Sequence, residues 1–182
     1  MGKKAKAIHV AGDLPNQKGY SSNSQIYIIN EDNNTVSVLN GLTNDLITTI
    51  NVGRQPSNVN GNSSNNRIYV TNKGEDTVSV IDAETNTVIG IIPVGSQPSG
   101  IGINPYIDRV YITNTSSDTV SVIDGLTNIV VATISVGTQP INLDVHPYIN
   151  RIYVVNKFRN TVSVIDGLTN TVIATIPVGE QP

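Results

Sequence analysis

Along most of the chain, apolar and polar positions alternate in short runs broken by Asn, Asp, Gly and Pro. The runs IYVTN (residues 68–72) and VSVID (78–82) are rich in β-branched residues and Tyr, as half-buried strands are. No run carries the 3.6-residue period of an amphipathic helix. The pattern predicts an all-β chain with no helix longer than one turn.

The strand pattern recurs. IYIIN, IYVTN, VYITN and IYVVN begin at residues 26, 68, 110 and 152, a constant step of 42. VSVLNGLTN, VSVIDAETN and two copies of VSVIDGLTN keep the same step from Val36, as do NVGRQP, PVGSQP, SVGTQP and PVGEQP from Asn51. Three motifs in register over four copies mark a repeat architecture.

Each copy reads as four short strands: A (such as 100–104), B (67–72), C (77–82) and D (88–94). The connections are polar turns short enough for hairpins: EDNN, KGED, TSSD or KFRN between B and C, and GLTN or AETN between C and D. Pro93 and Pro177 fall inside D. Proline cannot donate to a ladder from a central strand, so D is an edge. Apolar residues lie on both faces, with Ile68 and Val70 opposite Tyr69, and Val78 and Val80 opposite Ile81. A sheet apolar on both faces needs a neighbour on each side. Four-stranded antiparallel sheets repeated at this period predict a β-propeller of four blades, at about 14–55, 56–97, 98–139 and 140–182, after an extension over 1–13.

These motifs resemble the YVTN-type β-propeller repeat family, whose name motif stands here as residues 69–72, and the resemblance runs from about residue 8 to 182. It implies a surface-layer or secreted scaffold without catalytic, cofactor or metal residues. Such a protein would reside outside the cell or at its surface, although the chain opens without a signal peptide and a cytoplasmic home stays open. Similar propellers that are enzymes, lyases of cyclic antibiotics and large subunits of amine dehydrogenases, set the rival reading: an enzyme with its site in the channel. The inner strands offer Asp144, Lys18 and His146 for such a site.

Two departures from the family pattern matter. Blades one and two have degenerate inner strands, with Val59 and Gly61 in blade two and roughly Gln17 and Gly19 in blade one, so half the channel wall is expected to be loosely ordered. Four blades are also fewer than the family's usual ring. Residues 8–12, Ile-His-Val-Ala-Gly, are similar to the D strand at 176–179 and read as an extra D-like strand before blade one. A surplus strand favours exchange between chains or a longer array. The leading expectation is a homo-oligomer through the blade ends, two chains making an eight-blade ring.

The polar positions are filled by Asn, Ser and Thr, since only 14% of residues are charged, which suits hydrogen-bonded turns. A net charge of -3 and the absence of a basic patch give no footprint for nucleic acid; Lys3, Lys4 and Lys6 read as a solvated tail. No stretch is long and apolar enough for a membrane-spanning helix. With no cysteine and two unrelated histidines, His9 and His146, no metal site is indicated. Asp82, Asp124 and Asp166 end strand C and read as turn acceptors; Arg67, Arg109 and Arg151 read as partners of an Asp in a neighbouring blade. Sequons occur at Asn33, Asn62 and Asn114. What breaks the repeat is the pair Phe158 and Arg159 in the B–C turn of blade four. An aromatic beside Arg at a hairpin tip suits an interaction surface, toward another surface protein or a glycan.

Overall fold

The computed structural model describes residues 5–11, 25–180 and 182. Sixteen strands form four antiparallel sheets, each a meander in sequence order. Blade one holds β1 (Ala5–Ala11), β2 (Gln25–Asn30), β3 (Thr35–Asn40) and β4 (Leu46–Asn51). Blade two holds β5 (Pro56–Asn62), β6 (Arg67–Asn72), β7 (Thr77–Asp82) and β8 (Thr87–Pro93). Blade three holds β9 (Pro98–Asn104), β10 (Arg109–Asn114), β11 (Thr119–Asp124) and β12 (Ile129–Ser135). Blade four holds β13 (Pro140–His146), β14 (Arg151–Asn156), β15 (Thr161–Asp166) and β16 (Thr171–Pro177). The helical residues among those described are two three-residue 3-10 turns, Glu31–Asn33 and Lys157–Arg159.

Blade one corrects the sequence reading at its inner strand. Residues 5–11 are not a D-like strand before the blade. They pair antiparallel with β2, Ile8 opposite Ile28 and Val10 opposite Ile26, which is the inner position that Leu143 and Val145 take beside β14. The D-like sequence misled because a short alternating run carries no signature of its place in a sheet. Gln17, Lys18 and Gly19, expected there, lie outside the described residues. Blade two is corrected as well: β5 is polar yet paired with β6 from Pro56 opposite Asn72 to Asn62 opposite Arg67, with one irregularity at Ser57. Side-chain bonds supplement its thin apolar content, as Asn60 Nδ2 donates to Ile101 O of blade three at 3.1 Å.

The blades pack face to face in three joints. Tyr27, Ile29, Val36, Val38 and Ile50 of blade one meet Val59, Ile68, Val70 and Ile81 of blade two. Tyr69, Val78, Val80 and Ile92 then meet Ile101, Val110, Ile112 and Ile123 of blade three. Tyr111, Val120, Val122 and Ile134 in turn meet Leu143, Ile152, Val154 and Ile165 of blade four. Every joint is therefore a tyrosine-bearing face on an isoleucine-rich face. The inner strands pack in succession, β1 on β5, β5 on β9 and β9 on β13, with no comparable packing of blade four back on blade one among the described residues. The four sheets form an open arc.

Loops of the VGxQP type stitch the joints. The Gln97 N–H donates to Asp76 Oδ1 of blade two at 2.8 Å, while Gln97 O accepts from Thr115 N of blade three at 3.1 Å. Gln55 and Gln139 repeat the arrangement through Asn34 and Asp118. Beneath each loop a glycine sits on the next blade's strand-B asparagine: a Cβ at Gly53, Gly95 or Gly137 would fall 2.5, 2.7 or 2.5 Å from the Cγ of Asn72, Asn114 or Asn156. Only glycine fits so close an approach.

Strand D is the edge, as its prolines require, with Pro93 and Pro177 at its last position. Each D strand also carries a bulge against strand C, leaving Ile47, Ile89, Val131 or Ile173 unpaired and exposed. A bulge interrupts the ladder and blunts an edge against further strand pairing.

Candidate interaction surfaces

The recurring charged residues are spent on turns. Asp124 Oδ1 accepts from Leu126 N and Thr127 N, both at 3.0 Å, and from Thr127 Oγ1 at 3.1 Å. Asp82 and Asp166 hold their turns through the backbone in the same way, and Asn40 does so in blade one. The Thr127 backbone N–H, ahead of the other donors and Arg109, holds the Asp124 carboxyl below the ordinary range, against the upward push of burial. Because the folded-state value lies below the unfolded one, this stabilisation is complete above about pH 4 and is lost as pH falls through the folded value. Asp124→Asn keeps the turn acceptor, as Asn40 shows, but loses the negative charge that Arg109 pairs with, and is expected to be slightly less stable than the parent at neutral pH and to converge with it in acid. Asp124→Ala strands the turn donors and is expected to cost about 1 kcal/mol in urea titration.

The arginines depart from the sequence reading. Arg109 and Arg151 pair within their own blades, with Asp124 at 2.8 Å and Asp166 at 2.7 Å, because strands B and C place each pair directly opposite. Of the three recurring arginines, Arg67 alone crosses a joint, donating to Gly125 O, to Leu126 O at 3.1 Å and to Asn128 Oδ1 at 3.2 Å of blade three. The asparagines closing strand B are cross-strand braces more than turn residues: Asn114 Nδ2 donates to Thr119 Oγ1 at 3.0 Å and Ser121 Oγ at 2.9 Å. Of the sequons, Asn62 and Asn114 are buried, and only Asn33 is exposed to a modifying enzyme.

Phe158 stands on the 3-10 turn of blade four, 72% exposed, its N–H donating to Thr138 O at 3.3 Å. Arg159 borders a shallow open groove between blades three and four, with Ser135, Thr161, Ser163 and Thr175.

The opposite end of the sheets, where the A–B and C–D turns lie, carries a surface the sequence reading missed. Tyr106 and Tyr148, 64% and 80% exposed, stack with ring centroids 5.3 Å apart at 39°, and Tyr106 Oη donates to Tyr148 Oη at 3.1 Å. That bond, first among the causes, raises the Tyr106 hydroxyl above its ordinary value. His146 meets Tyr148 edge-on at 6.3 Å, and Leu126 and Leu168 are exposed on the C–D turns at this end. The signal was present in NPYID and HPYIN, where blade two has only NSSNN. His146 itself occupies the place where Asn62 and Asn104 bridge to the next blade, through Asp108 and Asn150; among the described residues no blade packs beyond it, and it is exposed. Among the described residues, no three His, Cys, Asp or Glu side chains gather as metal ligands.

No family model and no curated protein matches the chain. Among solved structures it is similar to a chain of Kuenenia stuttgartiensis hydrazine synthase, with a TM-score of 0.84 and 22% identity. The match covers 94% of this chain and 48% of that one, so this chain spans about half the length of that neighbour, and the likeness carries the fold.

Proposed function

We propose that the chain is a non-enzymatic β-propeller interaction module of the YVTN type, acting at a cell surface or after secretion, with a glycan as its partner. The observation that carries this reading is the Tyr106–Tyr148 shelf, an exposed aromatic pair held on two short turns of a rigid frame. Tyrosine offers a large amphipathic surface at low conformational cost, and its hydroxyl adds a polar contact. A neutral sugar face matches that combination. Phe158 and Arg159 would form a second contact region on the other end.

The rival is a propeller enzyme, and the similar chain comes from a protein named as a synthase. The ionisable residues of the inner strands are Lys6 and His9 on β1 and Asp144 and His146 on β13. Affinity electrophoresis through gels containing neutral polysaccharides separates the two. The parent and His146→Asn are expected to be retarded alike, and the Tyr106→Ala/Tyr148→Ala double variant to run freely at unchanged circular dichroism. Equal mobility of parent and double variant in every gel overturns the glycan reading. A turnover abolished by His146→Asn favours the enzyme.

A further inference from the structure

Three joints within the chain show what covers each face of a blade, and two faces of the arc lack that cover. On blade four, Tyr153 is 37% exposed, whereas Tyr27, Tyr69 and Tyr111 are wholly buried. Ile176 is 46% exposed, whereas its counterparts Ile50, Ile92 and Ile134 are buried. Val155 and Val162 on the same face are half-buried. On blade one, Ile26, Ile28 and Leu39 are half-buried, although the residues in their register positions in the other blades are all buried. The open face of blade four is tyrosine-bearing and that of blade one is isoleucine-rich. These are the two halves of one joint.

The loops give a second, independent sign of the same vacancy. Gly53, Gly95 and Gly137 each press on the strand-B asparagine of the following blade. Gly179, the fourth of the series, has nothing within 4 Å. Asn30, the asparagine of blade one, is half-exposed while Asn72, Asn114 and Asn156 are wholly buried, and among the described residues no glycine lies on it. Asn30 is nevertheless braced like the others, its Nδ2 donating to Thr35 Oγ1 at 3.2 Å and Ser37 Oγ at 2.8 Å. Each end of the arc thus retains the half of a clamp that its opposite end completes.

We propose that the open face of blade four is covered by blade one of a second copy of this chain, and reciprocally, so that two copies close a ring through two identical joints. In each joint Gly179 lies on Asn30 of the other copy, Ile176 and Tyr153 pack on Ile26, Ile28 and Leu39, and the Tyr153 hydroxyl reaches the turn at Asn44. The last contact follows the joint between blades one and two, where Tyr27 Oη lies 3.1 Å from Asn86 Oδ1 in the same turn of the next blade. A face-to-tail joint is heterologous and closes only at certain copy numbers. Propellers hold four to eight blades, so two four-blade copies reach the upper limit and a third would exceed it. Nothing in this proposal depends on what the tyrosine shelf binds.

Gly179→Val tests it cleanly, since the new side chain enters open space in a single copy but meets the Asn30 amide in the joint. Sedimentation equilibrium at micromolar concentration is expected to give the parent twice the monomer mass, with a melting temperature that rises with concentration. Gly179→Val should weaken association at least about a hundredfold, the scale of a clash at an interface hot spot, while its circular dichroism matches the parent. Ile176→Glu should do the same. A parent that is monomeric throughout, masses beyond two copies, or a Gly179→Val protein that still associates like the parent would each overturn the proposal.

Discussion

Tyr111→Ala is expected to cost the fold about 3–5 kcal/mol, the penalty of emptying a large aromatic site at the centre of a packed core. Its ring is wholly buried in the joint between blades three and four, where it touches the cluster of Val120, Leu143 and Ile152. A cavity there cannot collapse, because the sheets on both sides are fixed by their ladders. Tyr111→Phe has the opposite expectation. The Tyr111 hydroxyl is buried without a hydrogen-bond partner among the described residues, and burial pushes its pKa up to about 12. Removing an unsatisfied buried polar atom is neutral or gains up to about 1 kcal/mol. At the equivalent position in blade one, Tyr27 Oη donates to Gln25 Oε1 at 2.6 Å, so Tyr27→Phe is expected to destabilise by about 1 kcal/mol. Urea titration of the three variants checks the order. Equal stability of the two Phe variants would mean that the joints do not differ as their hydrogen bonds do.

Gly100→Val is expected to lose about 3 kcal/mol or more, at the upper end of overpacking effects. Blades converge toward the axis, and the inner strands leave no room there: a Cβ at Gly100 would lie 2.9 Å from the Asn142 Cα of blade four and 2.9 Å from Thr113 Oγ1. The obstacle on one side is backbone, which cannot rotate away. Gly90 makes the contrasting case on an outer strand, where the blades have diverged. Its added Cβ would meet Asn128 Nδ2 at 3.6 Å and Val80 at 3.8 Å, ordinary contact distances. Gly90→Ala, which installs the residue found at Ala132 and Ala174, is expected to stabilise by about 0.5–1 kcal/mol through the lost freedom of the unfolded chain. Thermal melts of the two variants should move in opposite directions.

Strands B, C and D were legible to within a residue because they unite period-2 alternation, β-branched composition and a fixed 42-residue step. The two-sided burial was legible too, since Tyr69 and Ile68 are both apolar and adjacent in sequence. The inner strand of blade one was not. Its place depends on pairing with β2 across a span that the sequence leaves unmarked, and its residues match strand D as well as strand A. The Arg109–Asp124 pair was assigned to the wrong partner because repetition alone does not say whether two recurring charges meet within a blade or across a joint. The Tyr106–Tyr148 shelf escaped notice for a related reason: residues 42 apart become neighbours only when two blades stack.

Among the described residues, fourteen non-glycine residues adopt left-handed backbone, at 34, 44, 55 and 66 and onward to 170, every one of them Asn, Asp or Gln. They fall ten or eleven residues apart without a missed beat, so the chain has a metre as well as a vocabulary. Strand content varies freely within it, from the apolar GIGIN of blade three to the polar NVNGN of blade two, while the beat does not shift. A single inserted or deleted residue inside a strand would turn every later side chain of that strand to the opposite face. Such a chain can therefore drift far by substitution, and it takes up extra length between its strands, as in the 13 residues that separate β1 from β2 against the four that separate β5 from β6, and not within them.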